Sequence, residues 1–174
     1  MAIEKPEYRV IREAEGIELR EYSEHWLAEC RVDEIKDLNL ASNRAFNKLF
    51  NYISGDNQQS QKIAMTSPVQ QLPSEDGWLV SFVVPSSFYS GAIPEPRNPA
   101  IKLKKIEAGT FAALRYRGLW NNRTFEARSA ELLKAVSKLG LKPVGEVSSA
   151  VYNPPLTPPF LRRNEVLVRV TKDN

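Results

Sequence analysis

The sequence predicts an α+β fold, a distorted antiparallel β-barrel with two main helices that is built from two β-α-β-β repeats. Several short segments alternate apolar and polar residues with a period of two, which is typical of strands with one buried face. Two longer segments have apolar residues three and four positions apart, which is typical of amphipathic helices. The two halves also match at a nearly constant offset, as between Ala28 and Ala113 or between Pro68 and Pro154. In such a duplicated unit each helix is buried on its own part of the sheet.

The first half of the chain is predicted to contain one helix and five strands. The helix begins at Asp37, a good N-cap residue, and reaches about Ser54, with Gly55 as its stop. Its apolar stripe consists of Leu38, Ala41, Ala45, Leu49 and Tyr52, with Phe46, Phe50 and Ile53 on an adjoining line. The strands are expected at about 8–10, 17–22, 26–32, 62–72 and 78–85.

The second half follows the same pattern. Asn121 or Asn122 caps a helix that reaches about Leu139 and is ended by Gly140. Its apolar stripe consists of Phe125, Ser129, Leu132, Leu133, Val136 and Leu139. Strands are expected at about 110–116, 144–152 and 165–171.

Length and composition fit one domain over residues 1–174. The chain has 174 residues, of which 42% are hydrophobic and 26% charged, so it can bury a core without covalent cross-links. We interpret 17–85 and 100–171 as the two repeats. The proline-rich segment 85–99 is then a connector within the domain.

Several features favour a soluble, cytoplasmic protein without a membrane partner. The longest apolar runs are only a few residues, so no helix is expected to span a bilayer. The first residues lack the apolar stretch of a secretory signal. Cys30 is the only cysteine, which excludes an internal disulfide and favours a reducing compartment.

Charge and motif content favour a binding protein over an enzyme. The net charge is +3, and the basic residues are scattered rather than clustered along a phosphate-binding track, so no nucleic-acid partner is expected. His25 is the only histidine, which excludes a metal centre with several imidazoles. No Walker loop, nucleophile elbow or dinucleotide fingerprint occurs. We therefore assign neither a catalytic residue nor a metal ligand.

Two loops in matching places of the two halves, 62–69 and 152–158, carry the most information. Each interrupts a predicted β segment with proline, which cannot donate to a sheet ladder. They are either a pair of edge bulges or the mouth of a ligand cavity, and the residues alone leave both interpretations open.

Five ordered segments resemble the SOUL haem-binding family over nearly the whole chain. They are Glu18–Tyr22 with Trp26–Ala28, Phe46–Asn57, Lys62–Val69, Phe82–Ser86, and Tyr152–Pro155 with Arg162–Val166. The resemblance implies a distorted barrel with two helices and a small-molecule ligand, haem or another tetrapyrrole. In the member proposed to use an axial histidine, that residue follows the arginine of an Arg-x-Tyr motif. Here the matching residue is Glu21, and a carboxylate is a poorer ligand of haem iron than imidazole.

The candidate ligand-binding residues lie on the first helix and near the two loops. The resemblance implies haem held loosely in an apolar groove, aided by basic side chains at positions that here are Asn43 and Asn51. Phe46, Phe50 and Tyr52 either stack on a flat ligand or belong to the ordinary core. The full set is Asn43, Arg44, Phe46, Asn47, Lys48, Phe50, Asn51, Met65, Arg162 and Arg163.

Each polar candidate also has a purely structural interpretation. The asparagine stripe of the helix, with its two cations, is either a solvated face or the border of a groove that binds carboxylates. The arginine doublet either recognises an anion or pairs with Glu165 or a neighbouring strand. Met65 is either a thioether ligand or a packing residue.

Neither His25 nor Cys30 is assigned as an iron ligand. His25 is four residues along a strand from Glu21, which is about 13 Å at roughly 3.3 Å per residue. This separation favours a surface histidine at a strand end. Cys30 alternates with Ala28 and Val32, which favours a buried, inert thiol.

Three functions are compatible with these residues. The first is a carrier or buffer for haem or another tetrapyrrole, without a secure axial ligand. The second is a binding module for another hydrophobic or cationic small molecule, in a fold that resembles the effector-binding domains of multidrug regulators, with Glu18 or Glu21 as its carboxylate. The third is a small-molecule hydrolase that uses Glu21, Trp26 and Tyr116. The oligomeric state is left open.

Overall fold

A computed structural model describes residues 3–154 and 156–172, so that Pro155 of the second loop lies outside the described residues. These residues form the helices α1 (Leu38–Ile53) and α2 (Asn122–Lys138) and short 3-10 turns at Ser86–Phe88 and Pro159–Leu161. Their nine strands are β1 (Tyr8–Ala14), β2 (Ile17–Tyr22), β3 (His25–Asp33), β4 (Val69–Pro73), β5 (Gly77–Val83), β6 (Ile101–Ile106), β7 (Gly109–Tyr116), β8 (Leu141–Val151) and β9 (Asn164–Lys172).

Both helices begin at the predicted N-cap residues. The Asp37 carboxylate accepts a hydrogen bond from the backbone N–H of Leu40 and so satisfies one of the free donors of the first turn of α1. At α2, the side chain of Asn121 accepts from the N–H of Thr124, whose hydroxyl contacts the Asn121 backbone in return. This reciprocal capping fixes the entry of the chain into α2.

The predicted α+β class with an antiparallel sheet and two helices is confirmed. The strands of the described chain form one sheet in the order β1-β2-β7-β9-β8-β4-β5-β3-β6, with every neighbouring pair antiparallel. The sheet is not closed, because within the described residues β1 pairs only with β2 and β6 only with β3. The expected barrel is therefore a single open sheet.

The strand order is symmetrical about the contact of β4 with β8. β2, β3, β4 and β5 of the first half correspond to β6, β7, β8 and β9 of the second half. Leaving β1 aside, exchanging each strand with its counterpart gives the same order read from the opposite edge of the sheet. Each half is a β-β-α-β-β unit, one strand longer than the predicted unit, because two strands precede each helix. The periodicity does not predict β6, which pairs with β3 of the other half.

The sheet has two different faces because successive side chains of a strand point to opposite sides. On one face, α1 packs on β3 and β5, and α2 packs on β7, β8 and β9. Ala28, Cys30 and Val32 of β3 belong to the core between sheet and helices. Their neighbours His25, Leu27 and Glu29 lie on the opposite face, where they line a cavity.

The strand predicted at 62–72 is much shorter in the structure. Only Val69–Pro73 is a strand, and the chain before it is irregular. Pro68 has no N–H to donate, so the ladder cannot extend through it. Instead, the N–H of Ile63 donates to the Ile53 carbonyl, and the N–H of Ser67 donates to the Glu4 carbonyl.

Candidate functional site

Three large apolar side chains are exposed together beside α1. Phe46, Phe50 and Met65 are 40%, 48% and 51% exposed, and we call them the helix patch. The two phenylalanine rings are stacked, with centroids 6.2 Å apart and planes inclined by 23°. Below them lies a narrow cleft of about 30 Å³ whose walls include Leu49 and Phe82.

The helix patch follows from the position of its residues around α1. Ala45, Leu49 and Tyr52 face the sheet and are buried, as the apolar stripe predicts. Phe46 and Phe50 are each one residue further along, and one residue is about 100° of rotation around a helix. The second apolar line of the prediction is therefore at the border of the core and only partly inside it.

The predicted polar residues of α1 surround the helix patch on the solvent side. Asn43, Asn47 and Asn51 are all exposed, as are Arg44 and Lys48. Within the described residues neither of these two cations has an ion-pair partner. The solvated face that the sequence predicts is present, and its positive charges are available to an anionic group.

The arginine doublet is engaged in local contacts. Arg163 forms an ion pair with Glu165 at 3.1 Å, and its guanidinium lies 3.9 Å from the centroid of the Tyr152 ring. The Nε of Arg162 donates to the carbonyl oxygen of Thr157 at 2.8 Å. The sequence leaves open whether the doublet recognises an anion or pairs with Glu165 or a neighbouring strand. In the structure, Arg163 pairs with Glu165.

A buried charge network underlies this end of the sheet. The guanidinium of Arg20 donates to both carboxylate oxygens of Glu165, at 2.9 and 2.6 Å, and also to Glu18 and the Tyr22 hydroxyl. Arg20 and Glu165 are almost completely buried. Burial alone would raise the pKa of Glu165, but the hydrogen bonds and charge of Arg20, together with Arg163, outweigh it and lower that pKa. Burial likewise raises the pKa of Tyr22 to about 12.

A cavity lies beside this network, on the sheet face opposite the helices. It has a volume of about 240 Å³, and we call it the sheet cavity. Its entrance is marked by the exposed segment 144–146 of β8, where a bulge interrupts pairing with β9. Its chemically distinctive lining residues are Tyr22, His25, Glu29, Lys104, Phe111 and Arg169.

His25 is at the strand end that the sequence predicts, but it is not a surface residue. Its side chain is only 7% exposed and lines the sheet cavity. The expectation fails because β2 turns directly into β3, which folds His25 back against the Tyr22 ring at a centroid distance of 6.1 Å. Burial lowers the pKa of His25, a hydrogen bond with the Ser23 carbonyl offsets part of this, and the nearby charge of Arg169 lowers the pKa further.

Glu29 supplies the carboxylate of the sheet cavity, a residue that sequence reasoning missed. The alternation along β3 assigns it to the face opposite Ala28 and Cys30, but only the tertiary structure shows that this face encloses a cavity. Lys104 of β6 lies across from it, with Nζ 3.8 Å from the carboxylate. The carboxylates considered from the sequence, Glu18 and Glu21, are instead paired with Arg20 and Arg9.

The residues considered for hydrolysis are not brought together. Glu21 of β2 is opposite Thr110 of β7, whereas Tyr116 is six residues further along β7, which is about 20 Å. The carboxylate of Glu21 is exposed and pairs with Arg9. Cys30 is fully buried as predicted, and burial raises the pKa of its thiol.

Searches of the described residues for other kinds of site give negative results. No group of histidine, cysteine and acidic side chains in 3–154 and 156–172 is arranged to hold a metal ion. Over the same residues, neither helix is long and apolar enough to cross a membrane.

An open antiparallel sheet with two helices on one face and a cavity on the other places the protein among small α+β domains. The chain belongs to the SOUL heme-binding protein family, whose model matches residues 3–169. It is 30% identical to Heme-binding protein 1 of Sus scrofa over 138 residues and to that of Mus musculus over 139 residues. Each match covers 75% of this chain and 72% of the relative.

The fold also extends beyond this family. The crystal structure of the EcmrR C-terminal domain is similar with a TM-score of 0.62, over 95% of this chain and 98% of that one. Its sequence identity to this chain is 14%, so the similarity concerns the fold alone.

Proposed function

We propose that this protein binds haem, or another tetrapyrrole, at the helix patch and acts as a carrier or buffer for it in the cytoplasm. The exposed cluster of Phe46, Phe50 and Met65 is the observation that carries the proposal. Exposed apolar side chains that are adjacent to one another mark interaction sites, whereas scattered ones do not. Membership of the SOUL heme-binding family supports the choice of ligand.

The chemistry of the helix patch suits a flat molecule with acidic side chains. The stacked rings of Phe46 and Phe50 offer an apolar surface to one face of a macrocycle. Removing apolar area from water contributes about 25 cal/mol per Å², before the cost of association is subtracted. Arg44 and Lys48 are exposed on the same helix and can pair with the propionates.

Iron ligation contributes little in this arrangement. Met65 is the only side chain with a soft ligand atom among the described residues that line the cleft. His25 lies on the opposite face of the sheet and cannot reach the same ligand. Recognition therefore depends on the faces and carboxylates of the macrocycle, which haem shares with metal-free protoporphyrin.

Parallel titrations with haemin and with metal-free protoporphyrin IX test the proposal. Binding is measured by the quenching of tryptophan fluorescence and by the change in the porphyrin absorption band. Both ligands are expected to bind with similar micromolar dissociation constants. A Phe46→Ala/Phe50→Ala variant is expected to weaken both by about tenfold or more, because it removes the stacking surface.

Leu40→Ala is the matched control for this titration. Leu40 is on the same helix with a similar exposure of 51%, but six residues from Phe46, which places it about 120° away around the helix axis. Its removal is expected to leave both affinities unchanged. Haemin binding that survives in the double variant but is lost in His25→Ala contradicts the proposal.

A further inference from the structure

The sheet cavity has room for a molecule much smaller than a tetrapyrrole. Its volume is about 240 Å³. An apolar protein cavity of about 150 Å³ takes up benzene. The sheet cavity therefore has internal room for about two fused aromatic rings, which is much less than a macrocycle of four pyrroles occupies.

His25 provides this cavity with a hydrogen-bond acceptor that lacks a partner. Nδ1 is 2.8 Å from the carbonyl oxygen of Ser23, and because a carbonyl only accepts, Nδ1 carries the proton. The neutral ring then has its lone pair on Nε2. No residue in 3–154 or 156–172 donates to that atom, although the side chain is 7% exposed. Nε2 is not completely buried, so water can reach it in the free protein, and a ligand that supplies a donor takes the place of that water.

Aromatic rings form the wall next to His25. The rings of Tyr22 and Phe111 meet edge to face, with centroids 5.3 Å apart and planes inclined by 78°. The Tyr22 hydroxyl is already bonded to Arg20, so its ring is held in place. A flat ring that enters the cavity packs against this wall while its edge faces the histidine.

The charged groups of the cavity do not favour a cation. Lys104 is close to Glu29, whereas Arg169, whose guanidinium donates to the carbonyl oxygens of Glu107 and Ala108, has no carboxylate partner within the described residues. Glu146, the other charged lining residue, is exposed to solvent. A cationic ligand would lose its hydration and would also meet the uncompensated positive charge of Arg169.

We infer that the sheet cavity is a second ligand site, which binds a bicyclic aromatic molecule without a positive charge and accepts one N–H or O–H hydrogen bond from it at Nε2 of His25. Size sets the number of rings, the free acceptor favours a donor, and the charge of Arg169 disfavours a cation. The site is independent of tetrapyrrole binding, because the two regions lie on opposite faces of the sheet.

Nuclear magnetic resonance of the single histidine tests this inference directly. His25 is the only histidine, so the Cε1–H group of its ring gives one unambiguous signal. Indole has two rings and one N–H, and benzofuran has nearly the same shape with an oxygen in place of that donor. Indole is expected to shift the signal saturably, whereas benzofuran binds about tenfold more weakly because it leaves Nε2 unpaired.

Two variants, and a measurement in the presence of protoporphyrin IX, test whether indole binds in the sheet cavity independently of the helix patch. His25→Phe is expected to reduce indole affinity to that of benzofuran, and Leu40→Ala is expected to leave it unchanged. Protein saturated with protoporphyrin IX should bind indole as well as the free protein does, so the two proposals fail independently.

Three results overturn the inference. One is a His25 signal that does not respond to indole, and another is equal affinity for indole and benzofuran. The third is tighter binding of N-methylquinolinium, a bicyclic cation, than of indole. All three comparisons use the unmodified protein and do not depend on the folding of a variant.

Discussion

The helix patch and the sheet cavity are two kinds of proposed binding surface on opposite faces of one sheet. The helix patch is apolar, exposed and bordered by the cations Arg44 and Lys48, whereas the sheet cavity is more recessed and contains a buried imidazole beside a buried ion-pair network. A surface of the first kind holds a large flat ligand loosely. A cavity of the second kind selects by size and by hydrogen bonding, because each buried polar atom must be matched.

This comparison predicts its largest effect at the ion pair beside the sheet cavity. Glu165→Ala leaves the guanidinium of Arg20 buried without its main partner. Breaking a buried pair in this way typically costs about 3–5 kcal/mol. We expect a loss of that size in the free energy of unfolding measured by urea titration.

Glu21→Ala is the matched control for the Glu165 measurement. It removes the partner of Arg9 from a pair whose side chains are both exposed, and such pairs contribute at most about 1 kcal/mol. A loss in Glu165→Ala no larger than the loss in Glu21→Ala would show that the buried network does not support the sheet.

A smaller effect is expected from the protonation of His25. Because burial lowers its pKa in the folded state, the unfolded chain binds a proton more readily below the ordinary value of about 6.5. Stability is then fully present above that value and is lost as pH falls from about 6.5 through the folded-state pKa. Urea titrations at a series of pH values should show this loss, and it should be absent in His25→Phe.

Protonation of Glu165 changes the stability in a different pH range from protonation of His25. The lowered pKa of Glu165 means that its own contribution is lost only at lower pH, as the pH falls through its folded-state pKa. If the free energy of unfolding still falls with pH near pH 6 in His25→Phe, another group is responsible for that loss.

The smallest effect is expected at the helix patch itself. Phe50→Ser removes an exposed ring that only borders the core, so the free energy of unfolding should change by no more than about 0.5 kcal/mol. Urea titration of this variant beside the wild type measures the difference. A loss of several kcal/mol would assign Phe50 to the core and leave the helix patch without its binding role.

The elements of the fold could be predicted where local chemistry determines them. Asp37 could be predicted as a cap, and Asn121 as one of two candidates with Asn122, because such side chains satisfy free backbone donors within three residues. The shortening of the strand before Pro68 also has a local cause, the missing N–H of that proline, whereas β6 could not be predicted because it depends on pairing with the distant β3. The same holds for the open sheet, because closure depends on whether its two edges meet.

The candidate site, like the fold, has one part that could be predicted from the sequence and one part that could not. Helical spacing places Phe46 and Phe50 beside each other, so this pair could be predicted from the sequence, whereas its exposure and the position of Met65 beside it could not. The sheet cavity could not, because it joins His25 and Glu29 of the first half to Phe111 and Arg169 of the second. An apolar–polar alternation shows that β3 has two faces, but not what encloses the second one.

The order of the strands has a consequence for the two halves of the chain. Three ladders, β2 with β7, β3 with β6 and β4 with β8, join one half to the other. If the connector at 85–99 were absent, each half would expose unpaired strand edges that only the other half, or a second copy of itself, could cover. The strand pairing between the two halves thus resembles that of an intertwined dimer of two β-β-α-β-β units.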